Sequence, residues 1–517
     1  MGSAAAPVIA ITTLGDVAQT AGVVVAALLA AAVLLARSPR ARAAAMLAAL
    51  VLTPVLLVAN IWSTPQFEPL RNRPTLLLAA GGAGLVLLAL AAVAINRWPQ
   101  LLALAAAATL PFRIPIESGG NTANLLVPLY LVIAAGVLAY AVPRLRAPPG
   151  LDAEEEVRRR SLLEWLLAAT VVLYAAQSAY SSGFDVALSQ VIFFYVPFAL
   201  LYALLVRLEW TPQLAARCLV VVLVLAVAFV GVGFVEYAKR ELLLNPKVIS
   251  SNQLESYFRV NSLFFDPNIY GRFLVTVMLG LTALVLWSRR ALVAAGCALA
   301  LVVLWAGLVL TLSQSSFTGL LAGLAILGAL RWGAAKMGLV VAALAIAAAM
   351  VVLAAPGAVG LNQSTDAVTS GRSTLVSGGV ELFTSRPLTG WGAGAFKNEF
   401  RKQEKSSNAR ASAASHTIPI TVAAEQGAGG LALYLALVVV AIWGLLRGAR
   451  ASVARAAVAA AFVALVVHTL LYAAFLEDPL AWALLALGSA LAPAAAGSRE
   501  PAAATPAPAP APASAAP

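Results

Sequence analysis

The feature that most constrains this chain is its run of apolar blocks, each about 20 residues long, separated by short polar joints. A block of that length spans the hydrocarbon core of a bilayer as an α-helix. Within lipid every backbone polar group must be paired inside the protein, so a spanning segment is a helix or part of a closed barrel. The Leu/Ala/Val blocks lack the two-residue alternation of a barrel strand. With 62% hydrophobic and only 11% charged residues, the chain has too little polar surface to cover a soluble core, which normally comes with about a quarter charged residues. The sequence therefore predicts an all-α, polytopic transmembrane helix bundle of about 12–15 spans. Fifteen candidate segments run from 17–36 to 480–493. The segment at 98–112 is a candidate re-entrant segment, and 480–493 reads as too short for a full crossing.

The net charge of +12 comes mostly from short arginine clusters in the joints. That is the signature of membrane topology, and it gives no ground for expecting nucleic acid as a partner. The clusters at Arg37, Arg40 and Arg42, at Arg144 and Arg146, at Arg289 and Arg290, and at Arg447, Arg450 and Arg455 fall on one side, which the positive-inside rule assigns to the cytoplasm. Arg71 and Arg73 fall on the other. Cys218 and Cys297 lie singly in apolar blocks, so neither a disulfide framework nor a metal site is expected.

The organisation follows from these blocks. Residues 1–97 read as N-terminal transmembrane helices and 98–355 as a central bundle with an outward loop at 237–264. A long outward loop covers 356–417, C-terminal helices follow at 418–493, and residues 494–517 form an Ala/Pro-rich tail expected to be disordered. Loops longer than about 15 residues are usually functional, which directs attention to 237–264 and 356–417.

Three sets of residues in these loops and the adjoining span ends invite a chemical reading. His416 precedes Thr417-Ile418-Pro419, a helix start in which proline suits the first turn. The positive end of a helix disfavours imidazolium and keeps the ring neutral, as a general base requires; a plain surface histidine is the alternative. Arg259, Arg372 and Arg386 carry guanidinium forks, which suit phosphate oxygens; the alternative is a solvated basic face. The second loop holds seven basic residues against four acidic ones between 356 and 415. Glu425 lies inside an apolar run, where a carboxylate is costly and functional by default, with pairing between helices as the alternative. Ser313 to Ser316 and Asp266-Pro267 read as helix caps. Gly390 to Gly394 reads as a tight surface turn, His468 as a packing histidine one turn from Tyr472, and Glu477 and Asp478 as simple interface charges.

Four stretches taken together resemble the O-antigen ligase and Wzy-type polymerase superfamily of bacterial envelope enzymes. They are Phe258-Arg259 through Asp266-Pro267-Asn268-Ile269-Tyr270-Gly271; Leu312-Ser313-Gln314-Ser315-Ser316 through Leu320; Gly371-Arg372 through Arg386-Pro387-Leu388-Thr389-Gly390-Trp391-Gly392-Ala393-Gly394-Ala395-Phe396; and Ser415-His416-Thr417 through Glu425-Gln426-Gly427. Many members carry an arginine in the second stretch, where this chain has Gln314, Ser315 and Ser316. The resemblance implies a helical fold of the membrane glycosyltransferase C type in the bacterial cytoplasmic (inner) membrane, working on its outer side without metal or other cofactor. The implied donor is a polyprenyl-diphosphate-linked glycan and the acceptor a glycan or lipid hydroxyl, with membrane lipids as further partners. Arg259, Arg372 and Arg386 would bind the diphosphate, and His416 would accept the acceptor's proton, with inversion at the anomeric carbon. Glu425 would orient His416 or stabilise its helix end. A polysaccharide polymerase needs the same groups. A solute or bicarbonate transporter is the alternative of another class, and would show ionisable residues near the midplane of several spans and paired broken helices.

Overall fold

A computed structural model describes residues 14–61, 74–118, 121–148, 161–242, 258–264, 266–354, 372–404 and 417–492. Ten of its helices are long and apolar enough to cross a membrane, and five shorter apolar helices accompany them. The protein is thus a polytopic helical membrane protein. One small exception to the helical pattern is an antiparallel hairpin in which Ile114–Ser118 pairs with Asn121–Leu125. It falls within the stretch 98–355 that the sequence assigns to the central bundle.

The helices are α1 (Leu14–Leu35), α2 (Pro39–Ile61), α3 (Pro74–Arg97) and α4 (Gln100–Thr109), then, after the hairpin, α5 (Val127–Arg146), α6 (Leu162–Gln177), α7 (Phe184–Leu205) and α8 (Pro212–Lys239). A central group follows: α9 (Pro267–Trp287), α10 (Ala291–Thr311), α11 (Gln314–Trp332) and α12 (Ala334–Ala354). Two short helices, α13 (Arg372–Ser385) and α14 (Phe396–Glu404), precede α15 (Ile418–Leu446), α16 (Val453–Thr469) and α17 (Pro479–Ala490). The tail, much of both long loops and His416 lie outside the described residues.

Local chemistry sets several of these elements. Asp266 caps α9 by accepting from the Asn268 N–H at 2.6 Å, and the Ser313 side chain accepts from Ser316 N–H at the start of α11, as the sequence predicts. Pro197 has no N–H to give the carbonyl of Phe193 four residues earlier. The helix widens to a π-turn over Val191–Tyr195, and the Tyr130 hydroxyl donates to the Phe193 carbonyl instead, at 2.6 Å. Helices α11 and α16 approach closely because Gly319 and Gly323 lie against the carbonyls of Ala464 and Ala460. Small residues four apart permit such backbone contact between membrane helices.

Segment 372–404 belongs to a separate small cluster. Leu375, Leu382, Phe396 and Phe400 pack with Ala424 of α15, with Trp391 at the edge. The long polar loop therefore contains a two-helix cap seated on the first turns of α15.

Candidate functional site

The polar residues of the bundle gather at the end where this cap sits. Glu425 lies on α15, two residues before Gly427, whose φ of 68° breaks the helix. Its carboxylate accepts from Gly394 N–H at 3.0 Å and Phe396 N–H at 3.1 Å. The freed backbone of the kink takes the rest of the turn: Trp391 N–H donates to the Ala424 carbonyl at 3.0 Å, Gly392 N–H to the Glu425 carbonyl at 2.8 Å, and Ala428 N–H to the Pro387 carbonyl at 2.7 Å. A Cβ on Gly427 would meet the Leu388 carbonyl at 2.3 Å, and one on Gly390 the Glu425 carbonyl at 2.2 Å. Gly390 to Gly394 is a tight turn, but its glycines are buried, Gly390 against the kink and Gly392 and Gly394 against the 177–187 segment that joins α6 to α7, which corrects the surface reading. The glycines are there because two backbones touch.

A second glutamate does the same work for Arg259, and sequence reasoning missed it. Glu236, fully buried near the end of α8, accepts from Ser262 N–H at 2.8 Å and Asn261 N–H at 3.3 Å. This pins the segment that carries Arg259. The Arg259 guanidinium is half-buried; it donates through Nε to the Thr311 carbonyl at 2.9 Å and through an Nη to Asn268 Oδ1 at 3.2 Å. Ser313 Oγ also donates to Asn268 Oδ1, at 2.7 Å. Of the second family-like stretch, Ser313, Ser315 and Ser316 are buried around Asn268, while Gln314 is exposed.

Behind Asn268 is a buried charged network, also missed. Arg272, on the first turns of α9, forms an ion pair with Asp478 at 2.6 Å, both side chains being almost fully buried. It also donates to the carbonyls of Ala473 and Ala474 and to Nδ1 of His468, the last at 3.1 and 3.3 Å. An arginine only donates, so His468 Nδ1 accepts and its proton sits on Nε2. Nε2 lies 3.2 Å from the Asn268 carbonyl and 3.1 Å from Ser315 Oγ, and donates there. Tyr472 faces the imidazole edge to face, with centroids 5.7 Å apart. Asp478 is therefore no interface charge. Arg272 was legible as an ionisable residue inside an apolar block, the signal used for Glu425.

Glu477 is likewise turned inward, where burial pushes its carboxyl above the ordinary range and Arg272 opposes the shift. It lines a cavity of about 310 Å³ with Tyr174, Tyr195, Lys397, Thr421 and Glu425. This too corrects the reading of Glu477 as an interface charge.

The other expected site residues are placed as follows. Arg372 opens α13. Arg386 is exposed and stacks on the Trp391 ring, with its guanidinium carbon 3.9 Å from the centroid. His416 lies just before the described Thr417, whose hydroxyl donates to the Leu470 carbonyl at 3.1 Å. The structure thus ties Arg259, Asn268, Arg272 and the residue after His416 to one segment, 468–478. Among the described residues, no group of three or more His, Cys, Asp or Glu is arranged to hold a metal.

A family model described as O-antigen ligase matches residues 299–435. The match takes in the serine patch, α13, α14, the glycine turn, His416 and Glu425, and leaves Arg259, Arg272 and Asp478 outside it. No curated protein and no solved structure matches the chain. The stretch 299–435 is thus similar to O-antigen ligase, and it contains three of the four stretches whose motifs resemble that family.

Proposed function

We propose that the protein transfers a glycan from a polyprenyl-diphosphate-linked donor to an acceptor hydroxyl on the outer side of the cytoplasmic membrane. His416 takes the acceptor's proton as the hydroxyl oxygen attacks the anomeric carbon. The bond from that carbon to the diphosphate oxygen breaks, and the polyprenyl diphosphate leaves with its electron pair. Attack opposite the leaving group inverts the anomeric centre. Arg259 and Arg372, with Arg386 as a third cation, stabilise the charge that grows on the departing diphosphate. Glu425 holds the cap turn on α15 and so fixes the helix that His416 precedes.

The observation that carries this reading is the common frame. Segment 468–478 is bonded to Thr417 through the Leu470 carbonyl. Through His468 and Arg272 it is bonded to the Asn268 that holds Arg259. A base and a diphosphate-binding arginine need such a fixed spacing to act on one substrate. A transporter is disfavoured because the buried charges sit in the terminal turns of their helices: Arg272 and Glu425 near the starts of α9 and α15, Glu236 near the end of α8.

The test incubates purified full-length protein with a lipid-linked oligosaccharide and candidate acceptors. Released polyprenyl diphosphate together with a new glycan product is the expected result. If folded His416→Ala and Arg259→Ala proteins kept full transfer activity, the assignment would be wrong.

A further inference from the structure

We infer that the 310 Å³ cavity beside the Glu425 clamp is a sugar subsite, taking one pyranose ring whose hydroxyls donate to Glu477 and whose apolar face lies against the tyrosine wall. This rests on the glycan-transfer reading and deepens it, because the arginines account for the diphosphate and leave the sugar without a seat.

The cavity lies at the low end of the range for small-molecule pockets, about 300–1,000 Å³, which suits a single ring better than a lipid chain. Half of the residues that line it carry side-chain oxygen or nitrogen. A polyprenyl tail would meet two carboxyl groups and an ammonium in that wall, charged groups that are costly to bury against hydrocarbon. A diphosphate is equally unsuited, since Glu425 and Glu477 line the wall and only Lys397 offsets them. Hydroxyl groups suit carboxylates, which accept and never donate when ionised. Glu425 already spends one acceptor position of each oxygen on the cap turn. Glu477 accepts from its own backbone, from Phe475 and from the Tyr195 hydroxyl; the roughly four acceptor sites of a carboxylate leave it one for a ligand hydroxyl, and its bonds, unlike those of Glu425, do not hold the cap turn. Tyr174 and Tyr195, packed edge to face with centroids 4.9 Å apart, give a rigid aromatic wall, and aromatic rings combine apolar area with a polar tip.

The location also fits. The cavity is walled on one side by Ile418, Thr421 and Val422, on the first turns of the helix that His416 precedes. On another side are Ala473 and Ala474, whose carbonyls hold Arg272. A ring seated there lies between the frame that carries Arg259 and the start of the helix behind His416.

The test is ligand-observed NMR on the full chain in detergent, using methyl pyranosides of glucose, galactose, mannose, rhamnose and N-acetylglucosamine as probes. Saturation transfer to at least one pyranoside is expected. It should weaken at least tenfold in Glu477→Gln, and also in Thr421→Trp, which fills the cavity. Arg259→Ala should keep it while losing transfer, so the two readings fail separately. If no pyranoside is saturated, or if either folded variant binds as the unaltered protein does, the subsite is overturned. In the transfer assay the bound pyranoside should compete with the acceptor if the subsite serves the acceptor sugar, and with the donor if it serves the donor sugar; either outcome supports the subsite, and no inhibition at saturating pyranoside contradicts it.

Discussion

Buried arginines occur at both ends of this bundle, and their partners differ. At the arginine-rich end, Arg42 donates to the Val33 carbonyl at 3.2 Å and to the Ala36 carbonyl, closing the end of α1, and to the Tyr140 hydroxyl of α5 at 3.2 Å. Arg455 donates to the carbonyls of Gly444 and Arg447 at the end of α15, and to Gly488 near the end of α17 at 3.0 Å. These are the orphan carbonyls of helix C-termini, where a cation also meets the negative end of the helix dipole. At the cap end, Arg272 is bound to a carboxylate and an imidazole, and Arg259 to an asparagine that two other side chains hold. Most bonds of the helix-capping arginines go to backbone, which every sequence supplies. The cap-end arginines need particular side chains from four separate helices. Arginine burial alone therefore does not mark a site; the kind of partner does.

The contrast can be broken most forcefully at the ion pair. Asp478→Asn leaves Arg272 buried without its counter-charge and should cost about 3–5 kcal/mol, read as a lowered melting temperature in detergent. The double variant Arg272→Leu with Asp478→Leu should recover most of that stability, because an apolar pair of similar volume replaces a buried ion pair at little cost. It should not recover transfer, and the loss should fall on kcat more than on KM, since His468 and Asn268 no longer hold Arg259. Recovery of both would make the network merely structural. Gly427→Ala forces a Cβ into the Leu388 carbonyl at a positive φ, and should cost about 1–3 kcal/mol while loosening the cap. Limited proteolysis within 372–404 reads that directly. Arg42→Met, at the other end, should cost about 1 kcal/mol for each capping bond removed and leave transfer per folded molecule unchanged.

The smallest effect is one of pH. A carboxyl raised by burial, such as Glu477, becomes protonated at a higher pH than an ordinary glutamate, which titrates near about 4.3. Its ionised form accepts the sugar hydroxyls, so pyranoside binding should be full above that raised midpoint and fall as the pH drops through it. Glu477→Gln should flatten the profile.

The spans were legible because length and hydrophobicity leave a chain in lipid few choices, the caps at Asp266 and Ser313 follow from local hydrogen bonding that a sequence displays, and the start of α15 follows from Pro419, whose fixed φ suits a first turn. What joins distant segments was less visible. Glu236 and Arg272 stand in apolar runs with no neighbour in sequence to suggest a partner, because their partners come from 25 to 206 positions away. The glycine turn misled for a related reason. Its residues describe a tight turn, and nothing local says that a helix kink 33 to 37 residues later will be pressed against it. Asp478 looked exposed because it ends an apolar block, although that position also faces the first turns of α9.

The most direct measurement compares Arg259→Ala with Arg455→Met for release of polyprenyl diphosphate from a lipid-linked oligosaccharide, each normalised to folded protein. Arg259→Ala should release it about 100-fold more slowly or worse, in line with the loss of one charge-stabilising donor at a reacting centre, and Arg455→Met, whose lost bonds all lie at the other end of the bundle, should stay within about twofold of the unaltered chain per folded molecule. Equal losses in the two variants, or full activity in Arg259→Ala, would contradict the assignment of chemistry to the cap end.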